Sequence, residues 1–318
     1  MRVLVAPDSF KGTFTATEVA SALAEGVRSV GAESVECPLA DGGEGTATVL
    51  AGALGARIVD VRVTGPLGEP VTGWFGLADD GTALVEAATA SGLSLVDPTP
   101  ETAWAATSRG TGELIAAAVA AGASRVLLGV GGSACTDGGL GAVEALAGVQ
   151  VGLRVLCDVR VPYERAAEVF GPQKGADPAT VERLTSRLHE RAAGWPRDPR
   201  GAEFTGAAGG LAGGLWAAAG AELVSGIEAV LDVVGFDDLL ATADLVVTGE
   251  GRLDAQTAHG KVVAGVCARA GAAGVPVLAV VGRCDLAEEE WRALGLSAVL
   301  VGSDRAGLRA AAATLPSS

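Results

Sequence analysis

A chain of 318 residues that is 49% hydrophobic and only 19% charged builds a sizeable core and is not disordered. Its net charge of −15 repels phosphodiester backbones and anionic lipid headgroups, and no basic patch interrupts the acidity, so neither nucleic acid nor a membrane surface is expected as a partner. Five scattered cysteines without C-x-x-C spacing exclude a disulfide framework and a structural zinc site; a short N-terminal apolar run, and Arg125 inside the longest apolar stretch (Leu114 to Val130), predict a cytoplasmic protein.

Short β-branched runs alternate with amphipathic, Ala-rich stretches, the pattern of βα units around a largely parallel sheet. Arg2–Ala6 reads as a first buried strand, and Thr15 or Thr17 caps a helix reaching about Val30. Ser34–Leu39 reads as a second strand, followed by the loop Ala40–Thr46 and another helix. Ile58–Val63, Val71–Leu77 and Thr82–Glu86 break the rhythm as antiparallel strands, the first two joined by the turn Thr64–Gly68. Later strands are expected at Arg125–Val130, Leu153–Asp158, Asp244–Thr248, Val275–Val281 and Ser297–Val301, with an exposed loop at Gly194–Gly206 and a tightly packed helix at Ala207–Ala219. The expected fold is α/β in two domains. A Rossmann-like, largely parallel sheet domain spans 1–60 and 235–318, and a second α/β domain with antiparallel strands, 61–234, is inserted in it.

Five loops carry chemistry where a strand ends or a helix begins, positions that form the ligand crevice of α/β sheets. Pro7–Gly12 offers Asp8, Ser9 and Lys11 in a tight turn, or else a helix-capping turn with Lys11 in solvent. Ala40–Thr46 sets Asp41 and Glu44 around two glycines, suited to Mg²⁺ or to a sugar-like hydroxyl, or to capping the next helix. Gly129–Gly139 combines Gly131, Gly132, Ser133 and Thr136 before a helix, where exposed N–H groups favour an anion, and adds Asp137 as a proton acceptor or metal ligand. Phe170–Gly175 holds a lone Lys174 in a Pro-Gly turn, a setting that ordinarily leaves lysine in solvent. Thr248–Asp254 puts Glu250, Arg252 and Asp254 after a buried strand, with Lys261 following; Arg252 suits a carboxylate or phosphate, or an internal ion pair with Glu250 or Asp254. No P-loop, protein-kinase signature or G-x-S-x-G elbow occurs, and His189 and His259 are too few for a triad or a multi-His site. Surface roles suit both histidines, although His259 lies just before Lys261.

In order, these loops resemble the bacterial type I glycerate kinase family. The matching stretches are A-P-D-S-F-K-G at 6–12, A-D-G-G-E-G-T at 40–46, V-T-G-P-L-G at 63–68, G-T-G-E-L-I at 110–115, G-V-G-G-S-A-C-T-D-G-G at 129–139, V-F-G-P-Q-K-G-A at 169–176, T-G-E-G-R-L-D at 248–254 and H-G-K at 259–261. The resemblance implies phosphorylation of D-glycerate by ATP and Mg²⁺, favouring the 2-hydroxyl and hence 2-phosphoglycerate, in a cleft between two domains. A kinase for another small hydroxy acid and a non-catalytic acid-binding relative are the alternatives, and both monomer and homodimer stay open.

Phosphoryl transfer needs positioning and charge neutralisation. Asp8, Lys11, Asp137, Glu250 and Arg252 are therefore the expected catalytic residues, with Asp137 and Glu250 on the metal. Gly131, Gly132, Ser133, Thr136 and Lys261 are assigned to ATP; Ser9, Asp41, Glu44, Arg252 and Asp254 to the substrate. The chain departs from the family in two places. The family carries about forty more residues before Leu153–Asp158, a length change that loops tolerate. Its C-D-V-D-N-P-L is here Cys157-Asp158-Val159-Arg160-Val161-Pro162-Tyr163.

Overall fold

The computed structural model describes residues 1–255, 257 and 261–314. Its strands are β1 (Arg2–Val5), β2 (Glu33–Glu36), β3 (Arg57–Thr64), β4 (Pro70–Leu77), β5 (Thr82–Glu86), β6 (Arg125–Gly129), β7 (Gly152–Cys157), β8 (Glu222–Ser225), β9 (Leu245–Leu253), β10 (Val277–Cys284) and β11 (Leu296–Val301). The chain divides into two compact units, 1–41 with 227–318 and 42–226. The sequence predicts these borders at 60/61 and 234/235 instead. The earlier first border follows from the helix Thr46–Leu54, which packs against β4, β5 and β6 of the second unit.

The first unit is a five-stranded, fully parallel sheet in the order β11-β10-β9-β1-β2. Its central strands carry apolar runs at 3–5, 245–247 and 277–281, as buried parallel strands do, before polar residues enter at the carboxyl ends of β9 and β10. The helix Ala16–Ser29 starts in a capping box: Thr15 Oγ1 accepts from Glu18 N–H (3.2 Å) and Glu18 accepts from Thr15 N–H (2.8 Å). It buries Val19, Leu23 and Val27 and meets the helix Arg305–Ala312 so closely that a Cβ on Gly26 would stand 2.3 Å from Arg309 O.

The second unit is a six-stranded sheet in the order β3-β4-β5-β6-β7-β8, antiparallel from β3 to β5 and parallel from β5 to β8. Its core gathers Phe75, Val85, Leu114, Ile115, Val126, Leu128 and Val155. Two features differ from expectation. β8 was not anticipated, because Glu222–Ser225 holds only two apolar residues. The expected helix from Ala207 begins only at Leu211, since Ala208, Gly209 and Gly210 all have positive φ and form a turn. Among the described residues no helix is long and apolar enough to cross a membrane.

Phe75→Ala should open a cavity in the second unit's core, since the ring is 1% exposed. A loss of about 3–5 kcal/mol, read from the urea unfolding of the full chain, is the expected outcome.

Candidate active site

In the first unit, the chain leaving β1 stays paired to β9: Ala6 N–H donates to Val247 C=O and Asp8 N–H to Gly249 C=O, both at 2.8 Å. This fixes Asp8 beside the carboxyl end of β9. Its Oδ1 accepts from Ser9 N–H at 2.6 Å. β9 itself runs further than the sequence suggested. Residues 248–254 read as a loop because of their charges and glycines, yet the ladder to β10 continues through Arg252↔Arg283 and Leu253↔Cys284. Glu250 and Arg252, two residues apart, share one face of that strand.

Asp8, Glu250 and Asp254 line a pocket of about 440 Å³ together with Lys11, Arg252, Lys261 and Arg283, a volume suited to a small ligand. Ser9 lies on its wall. The register sets the two arginines side by side, a repulsive arrangement unless an anion joins them. Asp285 does so: Arg252 Nε donates to its Oδ2 at 2.6 Å and Arg283 Nε to its Oδ1 at 2.5 Å. Arg252 also lies 3.5 Å from Asp254. The internal ion pair weighed for Arg252 is thus present with Asp254, and Asp285 adds a partner the sequence reading missed.

Asp8 and Glu250, the buried carboxyls of this pocket, repel one another. Burial pushes Asp8 up to about 7, helped by the charge of Asp41 and opposed by Ser9 N–H and Lys11. Burial likewise raises Glu250 to about 7, against a 2.6 Å hydrogen bond from Thr257 Oγ1 and the charge of Lys261. Carboxyls poised near neutrality are suited to proton transfer or to a cation.

In the second unit, the glycine-rich loop after β6 packs on the loop before the helix Thr46–Leu54. A Cβ on Gly131 would stand 2.4 Å from Glu44 N, so only glycine fits there. Gly132 and Glu44 are exposed, while Ser133 and Thr136 are buried. The Thr136 hydroxyl has no hydrogen-bond partner among the described residues. Glu86, at the end of β5, accepts from Gly45 N–H (2.6 Å) and Ala47 N–H (3.1 Å) and so caps the helix. Burial raises the Glu86 carboxyl, against those two donors.

Asp137 does not present a free carboxylate. Its Oδ2 accepts from Ser108 N–H (2.8 Å), Ser108 Oγ (2.9 Å) and Gly141 N–H (3.2 Å), and its Oδ1 from Gly139 N–H (3.1 Å). Its place is that of a brace tying the loop to the helices Leu140–Ala145 and Arg109–Ala120. Lys174 is not solvated: it is 2% exposed, and its ammonium donates to Cys135 C=O at 2.6 Å and to Ser133 Oγ at 3.3 Å. A lysine in a short turn gives no sequence signal of such burial. The stretches 63–68 and 110–115 brace each other, Glu113 accepting from Thr64 N–H (2.7 Å) and Thr64 Oγ1 (3.0 Å).

Asp8, Ser9, Lys11, Glu250, Arg252, Asp254 and Lys261 therefore meet in one pocket. Asp41 is buried in the same unit, where its charge acts on Asp8 and Glu250. Gly131, Gly132, Ser133, Thr136, Asp137 and Glu44 belong to the second unit. His189 is exposed, as expected, and His259 lies outside the described residues. Arg283 was missed, although it ends an apolar strand just as Arg252 does.

The sequence profile described as the Glycerate kinase family matches residues 3–152 and 148–314. The chain belongs to the glycerate kinase family. It is 42% identical to the glycerate kinase of Bacillus subtilis (strain 168), an alignment covering 89% of this chain and 85% of that protein. It is 39% identical to the glycerate 2-kinase of Escherichia coli (strain K12), over 89% and 85% respectively. A crystal structure assigned as glycerate kinase 2 from Salmonella typhimurium LT2 superposes with a TM-score of 0.84 at 37% identity, covering 99% of this chain and 97% of that one. The two matched segments overlap at 148–152, where the family's longer connection is missing and the chain turns from the helix Leu140–Ala145 into β7.

The raised Asp8 carboxyl makes stability depend on pH. Its ordinary value is 3.8 and its value in the fold about 7, so the folded protein holds this proton more tightly than the unfolded chain does. That contribution is complete below about pH 4 and is lost as pH rises through 7. Asp8→Asn stays neutral throughout. It should match the wild type at pH 4 and exceed it by about 1–3 kcal/mol at pH 8, seen as a Tm higher by a few degrees.

Proposed function

We propose that the protein transfers the γ-phosphoryl group of ATP to the 2-hydroxyl of D-glycerate, giving 2-phosphoglycerate, as a cytoplasmic enzyme. The observation that supports this reading most is the first unit's pocket, which sets four cations around two carboxyls poised near pH 7. Family membership supports the same chemistry.

The substrate carboxylate is assigned to Arg252 and Arg283, whose paired guanidinium groups match its two oxygens. The 2-hydroxyl, one carbon away, is assigned to Asp8. Its oxygen attacks the γ-phosphorus, its proton passes to the Asp8 carboxylate, the bond to the β–γ bridging oxygen breaks, and ADP leaves. Lys11 and Lys261 neutralise the transferred phosphoryl oxygens. Gly131, Gly132, Ser133 and Thr136 of the second unit are assigned to the nucleotide phosphates, as N–H and hydroxyl donors of the loop between β6 and the helix Leu140–Ala145. Asp137 is assigned to holding that loop rather than to a metal or a proton.

Among the described residues no three His, Cys, Asp or Glu side chains gather to hold a metal ion. Mg²⁺, however, is ordinarily held by one or two carboxylates with waters and substrate phosphates. Glu250 fits that demand as a hard oxygen donor whose charged form burial disfavours and a cation would restore. Mg²⁺ held by Glu250 would supply neutralisation of the phosphate charge during transfer.

An ADP-release assay across a panel of small hydroxy acids, followed by phosphorus NMR of the product, tests the reaction. D-glycerate should lead the panel and the 2-phospho ester should form; a 3-phospho ester, or another acid in the lead, would refute the assignment. Asp8→Asn should lower kcat about 10²–10⁴-fold with KM for D-glycerate little changed. Wild-type kcat/KM should climb with pH through about 7 as Asp8 ionises, and the variant should lose that limb. Arg252→Ala should act mainly on KM for D-glycerate, raising it about tenfold or more.

A further inference from the structure

The glycine-rich loop of the second unit is held from behind by two cations that the proposed chemistry does not yet use. The ammonium of the buried Lys174 donates to Cys135 C=O at 2.6 Å. The half-buried Arg187, from the helix Pro178–Gly194, donates to Thr136 C=O at 2.6 Å and to Trp104 C=O at 2.8 Å. Its guanidinium lies over the Trp104 ring, 4.3 Å from the centroid, which fixes its position.

Two successive carbonyls are thus each turned onto a cation. In a planar trans peptide the N–H points opposite to the C=O. The N–H groups of Thr136 and Asp137 are therefore turned away from Lys174 and Arg187, and among the described residues neither meets an acceptor. The Thr136 hydroxyl, in a residue with 0% exposure, is also without a partner. Buried donors lacking acceptors are rare in folded proteins and destabilise them. Three in two consecutive residues point to a ligand that supplies acceptor oxygens.

We infer that Lys174 and Arg187 are positioning residues for nucleotide phosphate: they hold the 135 and 136 carbonyls so that the following N–H groups are kept for phosphate oxygens. The inference rests on the proposed assignment of this loop to ATP and deepens it. If either cation were lost, its peptide could rotate and present a carbonyl oxygen to the anion, replacing attraction by repulsion. Charge-assisted hydrogen bonds are about twice as strong as neutral ones, so the two cations bias the loop against that rotation.

The test measures binding of ATP with Mg²⁺ to the full chain by calorimetry, without D-glycerate, beside steady-state kinetics and Tm. Lys174→Met should weaken ATP binding and raise KM for ATP about 10–100-fold, with KM for D-glycerate within about threefold of wild type. Its Tm should stay within a few degrees, because apolar replacement of a buried charge is often tolerated. Arg187→Met should show the same selective loss, and Arg187→Lys, which keeps a cation near Thr136 C=O, should recover most of it. The Arg187 pair carries the test if the Lys174 variant does not fold. Wild-type ATP affinity in the folded Met variants would overturn the inference. So would a parallel rise in both KM values with a fallen Tm, which would reduce the two cations to general structural supports. A wild-type protein that binds no ATP would overturn the loop assignment itself, and the inference with it; that failure is distinct because it shows before any residue is changed.

Discussion

The crowding of negative charge at the carboxyl end of one parallel sheet constrains everything else in the first unit. Asp8, Asp41 and Glu250 are at most 7% exposed, and burying such groups raises the free energy of their charged forms. The charges around Asp8 and Glu250 do not fully offset the effect of that burial. Lys11 pulls Asp8 down and Lys261 pulls Glu250 down only in part, and both carboxyls remain near 7. Arg252 and Arg283 are engaged elsewhere, by Asp285. The outcome is a pocket with strong cations on one side and reluctant acids on the other. That is a poor arrangement for stability and a suitable one for receiving an anion and a proton.

In the proposed reading the two units meet an anion with different materials. The first places side-chain charges at strand ends, where the register of β9 and β10 fixes their spacing. The second uses backbone, held by groups that never reach a ligand. Asp137 ties five donors together across the loop, Glu86 caps the neighbouring helix, and Glu113 locks the turn after β3. Acidic residues there act as internal acceptors for N–H groups that would otherwise be stranded at helix and loop ends. The same residue type therefore means opposite things in the two units.

That ambiguity explains how much was legible beforehand. The α/β class, the antiparallel entry to the second unit and most strands follow from hydrophobic period, which survives in a single sequence. The pocket's Asp8, Lys11, Glu250, Arg252 and Lys261 were legible because charges directly after apolar strands have few inexpensive explanations. The role of Asp137 was not. A carboxylate among glycines before a helix looks the same whether it faces a metal or the loop's own N–H groups, and only the fold brings Ser108 to it. Lys174 was hidden for a related reason: its burial is created by packing around residues 133–135, remote in the chain. The end of β9 was misplaced because glycine and charge mark loops, whereas in a central strand the backbone ladder continues beneath them.

The chain's departures from its family can be weighed on the same physical terms. Arg160 replaces an acidic residue of the family pattern, yet it faces solvent, pairs with Glu203 at 2.8 Å and lies over the Phe204 ring. Exposed pairs of this kind contribute little, about 0–1 kcal/mol, so the change alters local charge without disturbing the core. Val161 keeps a backbone role, its carbonyl accepting from Gly206 N–H at 2.9 Å. The shortened connection ahead of β7 leaves that strand in register with both β6 and β8. A loop can lose many residues at small entropic consequence when its ends are held by paired strands. Both departures thus fall in the second unit, where the fold absorbs change, and outside the first unit's pocket.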